Sequence, residues 1–186
     1  MSGRPGASWT LGLLALAAAA AALLRLVAVS YGLPHTFNAD EPHLVNLAVS
    51  FGGGSLNPYS FKYPTLWPYL LSFGYGLYYI AWSAFGLRHS VTDFIGLYAW
   101  DPTVFYLIGR CLAGLFSMAA LAVLAKTESS EPQTPLPWGA LLLAFAPVLV
   151  ELAHAGKPDS AMLFFCSLGW YGAMRVYREG RRAHYL

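Results

Sequence analysis

Five mostly apolar stretches limit what this chain can fold into more than any other feature of its sequence. They cover residues 9–31, 66–85, 104–125, 138–153 and 161–176. A helix that crosses the hydrocarbon core of a bilayer needs about 20 apolar residues. A helix pairs its own backbone N–H and C=O groups, and this is required in a bilayer because lipid tails offer no hydrogen-bond partners. The pattern therefore predicts an all-α fold, a polytopic transmembrane bundle of about four to five apolar helices.

The composition supports this prediction and excludes several other classes of protein. Only 11% of the residues are charged and 57% are hydrophobic, whereas a soluble domain carries about 25% charged residues. These fractions argue against a soluble globule, a disordered chain and a collagen-like fibre. The formal net charge of +2 is too small for a nucleic-acid-binding surface. Cys111 and Cys166 lie inside apolar runs, so a disulfide framework is not expected.

The first apolar stretch has two interpretations. Ala28-Val29-Ser30 resembles a signal-peptide cleavage site, but the run exceeds the roughly 7–15 apolar residues of a signal peptide. We therefore expect a retained helix over 9–31. Arg25 within it either reaches toward the headgroups from near the helix end or pairs with an anion inside the protein. The sequence leaves both roles open.

Residues 32–63 form a polar loop that contains a short amphipathic segment. Gly52-Gly53-Gly54 and Asn57-Pro58 mark breaks in the chain. A helix over 40–51 has one apolar face, formed by Leu44, Leu47, Ala48 and Phe51. Another face carries His43, Asn46 and Ser50. This pattern predicts a helix that lies in the membrane interface.

The distribution of basic residues predicts which side of the membrane each loop faces. Four arginines near the end of the chain indicate a cytoplasmic C-terminal segment: Arg175, Arg178, Arg181 and Arg182. Arg4 favours a cytoplasmic start. Asp40-Glu41 and Lys157-Pro158-Asp159 then share the non-cytoplasmic face (periplasmic, extracellular or lumenal). Three apolar stretches separate these motifs, so either 66–85 or 138–153 does not cross fully, or one acidic motif is cytoplasmic.

The adjacent acids Asp40 and Glu41 are the first candidates for chemistry. Helix capping and the helix dipole account for acids at such positions. Ionisable groups are nevertheless costly near hydrocarbon. One carboxylate of a pair can act as general base toward an attacking hydroxyl, while the other orients it. Lys62 can neutralise a phosphate leaving group or simply lie at the interface, and the same two roles apply to Lys157.

The sequence gives little support for a dedicated metal site. Four potential ligands lie close together in sequence: His35, Asp40, Glu41 and His43. No HxxxH or paired CxxC pattern is present, so zinc is not expected. A carboxylate-bound Mg²⁺ or Mn²⁺ stays an open alternative, and no cofactor is assigned with certainty. The chain also lacks the phosphate-binding glycine loops of Walker or Rossmann type.

Four motifs in a fixed order resemble a known family. They are FNADEP after the first helix, KYPTLWPYL before the second, YLIGRCLAGLFS in the third and HAGKPDSAMLFF before the last. This order resembles the N-terminal part of the membrane glycosyltransferases of the GT-C superfamily, in the protein O-mannosyltransferase-like and aminoarabinose-transferase-like group. The resemblance covers about residues 9–180. It implies a polyprenyl- or dolichyl-phosphate sugar donor, a hydroxyl acceptor on a protein, lipid or glycan, and inverting transfer on the non-cytoplasmic face.

The resemblance also implies roles for individual residues. Asp40 matches the catalytic base of the family, Glu41 its neighbour, and Asp159 the second-loop acid that shapes the site. Lys62 matches a basic residue near the donor phosphate. We further expect substrate contacts from the residues His43, Tyr63, Lys157 and Arg110. Arg110, which lies in the third apolar stretch, could equally be a boundary anchor.

The length of the chain bears on its function. Family members commonly have more spans, so we expect residues 1–186 to be a single membrane domain, the N-terminal part of a longer module. A non-catalytic membrane subunit, or a protein that binds polyprenyl phosphate without turnover, suits a short chain better. Arg25 permits a small transporter, but the long polar first loop argues against one.

Overall fold

The computed structural model describes residues 7–36, 38–85, 90–130 and 136–180. Arg4, Arg88, Arg181 and Arg182 lie outside these residues. Within them the regular structure is helical, without a strand, which confirms the predicted all-α class for this part of the chain. The α-helices are α1 (Ala7–Leu26), α2 (Asp40–Ser50), α3 (Leu66–Phe85), α4 (Val91–Trp100), α5 (Thr103–Ser129), α6 (Trp138–Ala144), α7 (Pro147–His154) and α8 (Asp159–Glu179).

Two of these helices have the length and composition of membrane spans. The segments are Trp9–Leu26 in α1 and Thr103–Ser129, which is all of α5. These two helices support the prediction of a membrane protein. The larger number of four to five crossings stays a prediction.

The observed helices α5 and α8 extend beyond the predicted stretches 104–125 and 161–176. Two other differences from the predicted bounds have a local cause. The first helix ends at Leu26 rather than near Tyr31, because Ala28 takes a left-handed conformation with φ of 60°. The 138–153 run is split into α6 and α7. Proline lacks an N–H group and is favoured at the first position of a helix, so Pro147 ends one helix and begins the next.

The helix α4 lies between two of the predicted apolar stretches, 66–85 and 104–125. Its first turn carries a capping box, in which Ser90 Oγ accepts from the Asp93 N–H and the Asp93 carboxylate accepts from the Ser90 N–H at 2.7 Å. This pattern satisfies two backbone donors that a helix start leaves unpaired. Phe94 on the same helix is buried against aromatic rings of α3 and α5.

The chain forms two compact units. The first contains residues 1–27, 114–151 and 159–186, and the second contains residues 28–113 and 152–158. In the second unit α2 packs on α3. Of the predicted apolar face, Leu44, Ala48 and Phe51 are buried and Leu47 is half-buried, while Val45, which lies outside that face, is also buried. The core also includes the buried aromatic residues Trp67, Tyr75 and Phe105.

The first unit buries an arginine among neutral oxygens. Arg25 is only 2% exposed. Its Nε donates to Ser117 Oγ at 2.8 Å, and its Nη1 donates to the carbonyl oxygens of Ala21 and Ala144, both at 3.0 Å. The side chain therefore does not extend to solvent, and the partners described for it are not anions. Since Ala144 is the last residue of α6, Arg25 satisfies a carbonyl at the break between α6 and α7.

Candidate functional site

The candidate site begins with the first turn of α2, in the second unit. Asn38 Oδ1 accepts from the backbone N–H of Asp40 at 3.1 Å, so Asn38 satisfies one of the free donors at the helix start. Asp40 and Glu41 both lie in the first turn, where the helix dipole favours negative charge. Successive residues of a helix project in different directions. The two adjacent carboxylates accordingly have different surroundings.

Glu41 is buried in a two-point ion pair with Arg110 of α5. The Arg110 Nε donates to Glu41 Oε1 at 2.7 Å, and Nη2 donates to Oε2 at 2.9 Å. The Arg110 Nη1 donates to the carbonyl oxygens of Val29 and Tyr31 at 2.8 and 2.9 Å. All three guanidinium nitrogens are therefore engaged. The pair joins α2, α5 and the turn that contains Val29.

A glycine turn packs directly on this ion pair. Gly156 has φ of +57°, and a Cβ atom at this position would lie 2.6 Å from Glu41 Oε1. The indole Nε1 of Trp67 donates to the Gly156 carbonyl oxygen at 2.9 Å. These contacts hold the 152–158 segment against α2 and α3. Lys157 directly follows this glycine, and its positive charge contributes to the lowered pKa of the Asp40 carboxyl group.

Asp40 differs from Glu41 because its carboxylate is partly open to solvent. Its side chain is 33% exposed, and Oδ1 lies 3.5 Å from Nζ of Lys62, which is 66% exposed. A hydrogen bond from the Tyr63 side chain lowers the pKa of Asp40, and the charges of Lys62 and Lys157 lower it further. Asp40 is therefore ionised at neutral pH. The Lys62 Nζ also lies 5.2 Å from the centroid of the Tyr63 ring, a cation–π contact.

His43 extends this group along the exposed side of α2. Its Nε2 lies 3.3 Å from Ser60 Oγ, and its ring centroid lies 6.3 Å from that of Tyr63. We call the set Asp40, His43, Ser60, Lys62, Tyr63 and Lys157 the Asp40 cluster. It combines one carboxylate, two ammonium groups, an imidazole and hydroxyl groups. Such a set can accept a proton from a hydroxyl and hold a phosphate.

The predicted site residues thus fall into three groups. Five of the eight belong to the Asp40 cluster: Asp40, His43, Lys62, Tyr63 and Lys157. Glu41 and Arg110 form the buried pair beside it, with their polar atoms directed at one another. Asp159 belongs to the other unit and is the first residue of α8. The roles assigned to all eight stay predictions.

Two residues that the sequence did not single out support the arrangement. Trp67 and Gly156 fix the turn before Lys157. The sequence contained one signal for this turn. Gly156 directly precedes Lys-Pro-Asp, and a left-handed turn favours glycine. Among the described residues no group of three His, Cys, Asp or Glu side chains is arranged to hold a metal ion. The Mg²⁺ or Mn²⁺ alternative stays untested.

Comparisons with protein-family models, curated proteins and solved structures return no match for this chain. The GT-C resemblance consequently rests on the sequence motifs. We therefore infer what the Asp40 cluster and the Glu41–Arg110 pair can do from the chemistry of their side chains.

Proposed function

We propose that this chain is a GT-C-type glycosyltransferase, or the N-terminal module of one. It transfers a sugar from a polyprenyl- or dolichyl-phosphate donor to a hydroxyl acceptor on the non-cytoplasmic face of the membrane. The observation that carries the proposal is the division between two adjacent acids. Arg110 engages both oxygens of Glu41, whereas Asp40 stays partly exposed beside Lys62 and Tyr63. Glu41 then positions the helix start, and Asp40 performs the chemistry.

The proposed reaction is a single displacement at the anomeric carbon. Asp40 accepts the proton of the acceptor hydroxyl as its oxygen bonds to that carbon. The bond between the anomeric carbon and the donor phosphate oxygen breaks, and polyprenyl phosphate leaves. Attack from the face opposite the leaving group inverts the anomeric configuration. The low pKa of Asp40 keeps it in the ionised form that this role needs.

Lys62 and Lys157 are the proposed partners of the leaving phosphate. Lys62 is 66% exposed, and a lysine stem is flexible, so its ammonium group can move from Asp40 to a phosphate when the donor binds. Lys157 adds a second positive charge in the same region. Both charges stabilise the phosphate more strongly as it becomes a dianion, which lowers the barrier.

Two structural features support placing both loops on one face of the membrane. The Gly156 turn packs on Glu41, so the loop before α8 and the start of α2 lie together in the second unit. Helices α6 and α7 have 7 and 8 residues, about 10 and 12 Å at 1.5 Å per residue. Each is shorter than a hydrocarbon core of about 30 Å. This favours 138–153 as the stretch that does not form a full single-helix crossing.

A transfer assay on membranes that contain the full chain tests the proposal. The donors are radiolabelled mannosyl and arabinosyl esters of decaprenyl and dolichyl phosphate, offered with hydroxyl acceptors. We expect Asp40→Asn to lower transfer by about 10²–10⁴-fold at an unchanged membrane level of the protein. Asp101→Asn is the matched control, because Asp101 is exposed and accepts from the Thr103 N–H at 3.0 Å, apart from the cluster.

The transfer assay, combined with measurements of decaprenyl phosphate binding and of flux across vesicles, separates the candidate functions. Equal transfer by wild type and Asp40→Asn would remove Asp40 from the mechanism. Wild-type protein that binds decaprenyl phosphate but transfers none of the sugars would contradict the enzyme proposal and support a non-catalytic binding protein. Flux of a solute across the membrane of sealed vesicles, without any transfer of sugar, would instead support a transporter.

A further inference from the structure

A second concentration of charge lies in the first unit, around the C-terminal ends of α5 and α8. A cavity of about 430 Å³ opens there. Lys126 and Thr127 line it from α5, and Arg175 and Arg178 line it from α8. We call it the basic cavity. None of its residues belongs to the Asp40 cluster.

The cations of the basic cavity converge on one aromatic ring. Lys126 Nζ lies 5.3 Å from the centroid of the Tyr171 ring, and Arg175 Cζ lies 5.9 Å from the same centroid. Both positive charges therefore lie close to the same ring, and like charges repel. An anion in contact with both would relieve this repulsion.

One acid in the cavity offsets only part of this charge. Arg175 Nη2 donates to Glu179 Oε1 at 2.9 Å, one turn along the helix. The cavity lining holds three basic residues and one acid, a formal charge of +2. The entire chain also has a formal charge of +2. Positive charge is thus concentrated here well beyond the average of the chain, in a concave site.

The position of the cavity along α5 indicates what kind of anion it meets. Lys126 lies in the last turn of α5, which has the length and composition of a membrane span. Charged residues at the end of a span lie at the level of the lipid headgroups, where tyrosine is also enriched. Basic pockets between helices at this depth suit the phosphate of anionic lipids.

We propose that the basic cavity binds the headgroup phosphate of an anionic phospholipid. The Lys126 ammonium and the Arg175 and Arg178 guanidinium groups donate to the phosphate oxygens. The Met174 side chain offers an apolar contact within the same cavity. This inference depends on membrane insertion but not on the glycosyltransferase proposal, since it concerns a different unit and a different ligand.

Native mass spectrometry of the full chain in detergent tests this proposal. The protein is titrated with phosphatidylglycerol and, separately, with phosphatidylcholine of the same acyl chains. We expect phosphatidylglycerol to bind about tenfold more tightly, and the double variant Lys126→Gln with Arg175→Gln to lose about tenfold in that affinity. Asp101→Asn is the control, because it changes one charge outside both the cavity and the Asp40 cluster and should leave the affinity unchanged.

A gain-of-binding variant protects the test against misfolding of the double variant. Glu179→Gln removes the acid that competes for Arg175, and it should strengthen phosphatidylglycerol binding by about two- to fivefold. Circular dichroism checks that each variant keeps its helix content. No gain in Glu179→Gln, or an equal gain in Asp101→Asn, would overturn the proposal.

A competition experiment tests whether the basic cavity binds a lipid or a free anion. Inorganic phosphate is added to the phosphatidylglycerol complex at matched concentration. Retention of the lipid is the expected result, since the acyl chains add apolar contact that free phosphate lacks. Complete displacement, or equal affinity for both phospholipids, would contradict a lipid site.

Discussion

Arg110 and Glu41 link two distant parts of the second unit through a buried, two-point ion pair. The Arg110 Nε and Nη2 donate to the two carboxylate oxygens of Glu41 at 2.7 and 2.9 Å. The side chains are 7% and 1% exposed, respectively. Charges buried to this extent are stable only when they are paired and hydrogen-bonded. The orientation of the α2 start, and with it Asp40, therefore depends on a contact between two buried side chains.

Removing the charge of Glu41 should destabilise the protein strongly. Glu41→Gln leaves the Arg110 guanidinium buried without a counterion, which typically costs about 3–5 kcal/mol. Denaturant unfolding in detergent, followed by circular dichroism, measures this change. The matched control is Asp40→Asn at the next residue, which should change stability far less, because the Asp40–Lys62 pair is open to solvent. Equal losses for both variants would refute the structural role of Glu41.

Gly156 provides a second, independent test of the same packing. Gly156→Ala places a Cβ atom 2.6 Å from Glu41 Oε1, at φ of +57°. Gly180 has nearly the same backbone conformation, with φ of +56°, but no atom of the described residues lies within 4 Å of the corresponding Cβ. Gly180→Ala thus measures the backbone strain alone. We expect Gly156→Ala to lower the unfolding free energy by about 1–3 kcal/mol more, and a similar loss in both would rule out the clash.

The amphipathic pattern of the sequence predicts several local elements of this fold. The predicted apolar residues Leu44, Ala48 and Phe51 are buried, and α3 covers the same residues as the 66–85 stretch. Two further local signals in the sequence mark helix ends. Ser90 and Asp93 have the spacing of a capping box, and Pro147 lies where one helix ends and another begins.

Long-range partners could not be predicted in this way. Glu41 and Arg110 are 69 positions apart, and no local period links a loop acid to an arginine in a later apolar stretch. The sequence places Asp40 and Glu41 together as a pair of carboxylates. It does not reveal that one is engaged by Arg110 and the other is open, because that depends on which way each side chain projects from α2.

Arg25 and Ser117 should be coupled energetically within the first unit. Ser117→Ala leaves the buried Arg25 Nε without its acceptor at 2.8 Å, and we expect a loss of about 1–3 kcal/mol. In an Arg25→Met background, the same substitution should cost close to nothing. A double-mutant cycle from denaturant unfolding gives the coupling energy. A loss for Ser117→Ala that is equal in both backgrounds would show that the hydrogen bond does not stabilise the protein.

Tyr63 should control the protonation of Asp40. The Tyr63 hydrogen bond is the largest influence that lowers the pKa of Asp40 below its ordinary value of 3.8. Because the folded-state pKa is depressed, the associated stabilisation is present above the unfolded-state value and is lost as the pH falls through the folded-state value. Tyr63→Phe removes the hydrogen bond, so the pKa of Asp40 should rise.

Carbon-13 NMR of labelled aspartate carboxyl groups, titrated from neutral to acidic pH, measures this shift. Tyr59→Phe is the matched control, because Tyr59 lies in the same loop and is 78% exposed. We expect the Asp40 midpoint to move upward in Tyr63→Phe alone. If the wild-type protein transfers sugar, ionisation of Asp40 should not change the transfer rate above about pH 5, because Asp40 is already ionised there. An unchanged midpoint in Tyr63→Phe would mean that Lys62 and Lys157 alone keep Asp40 ionised.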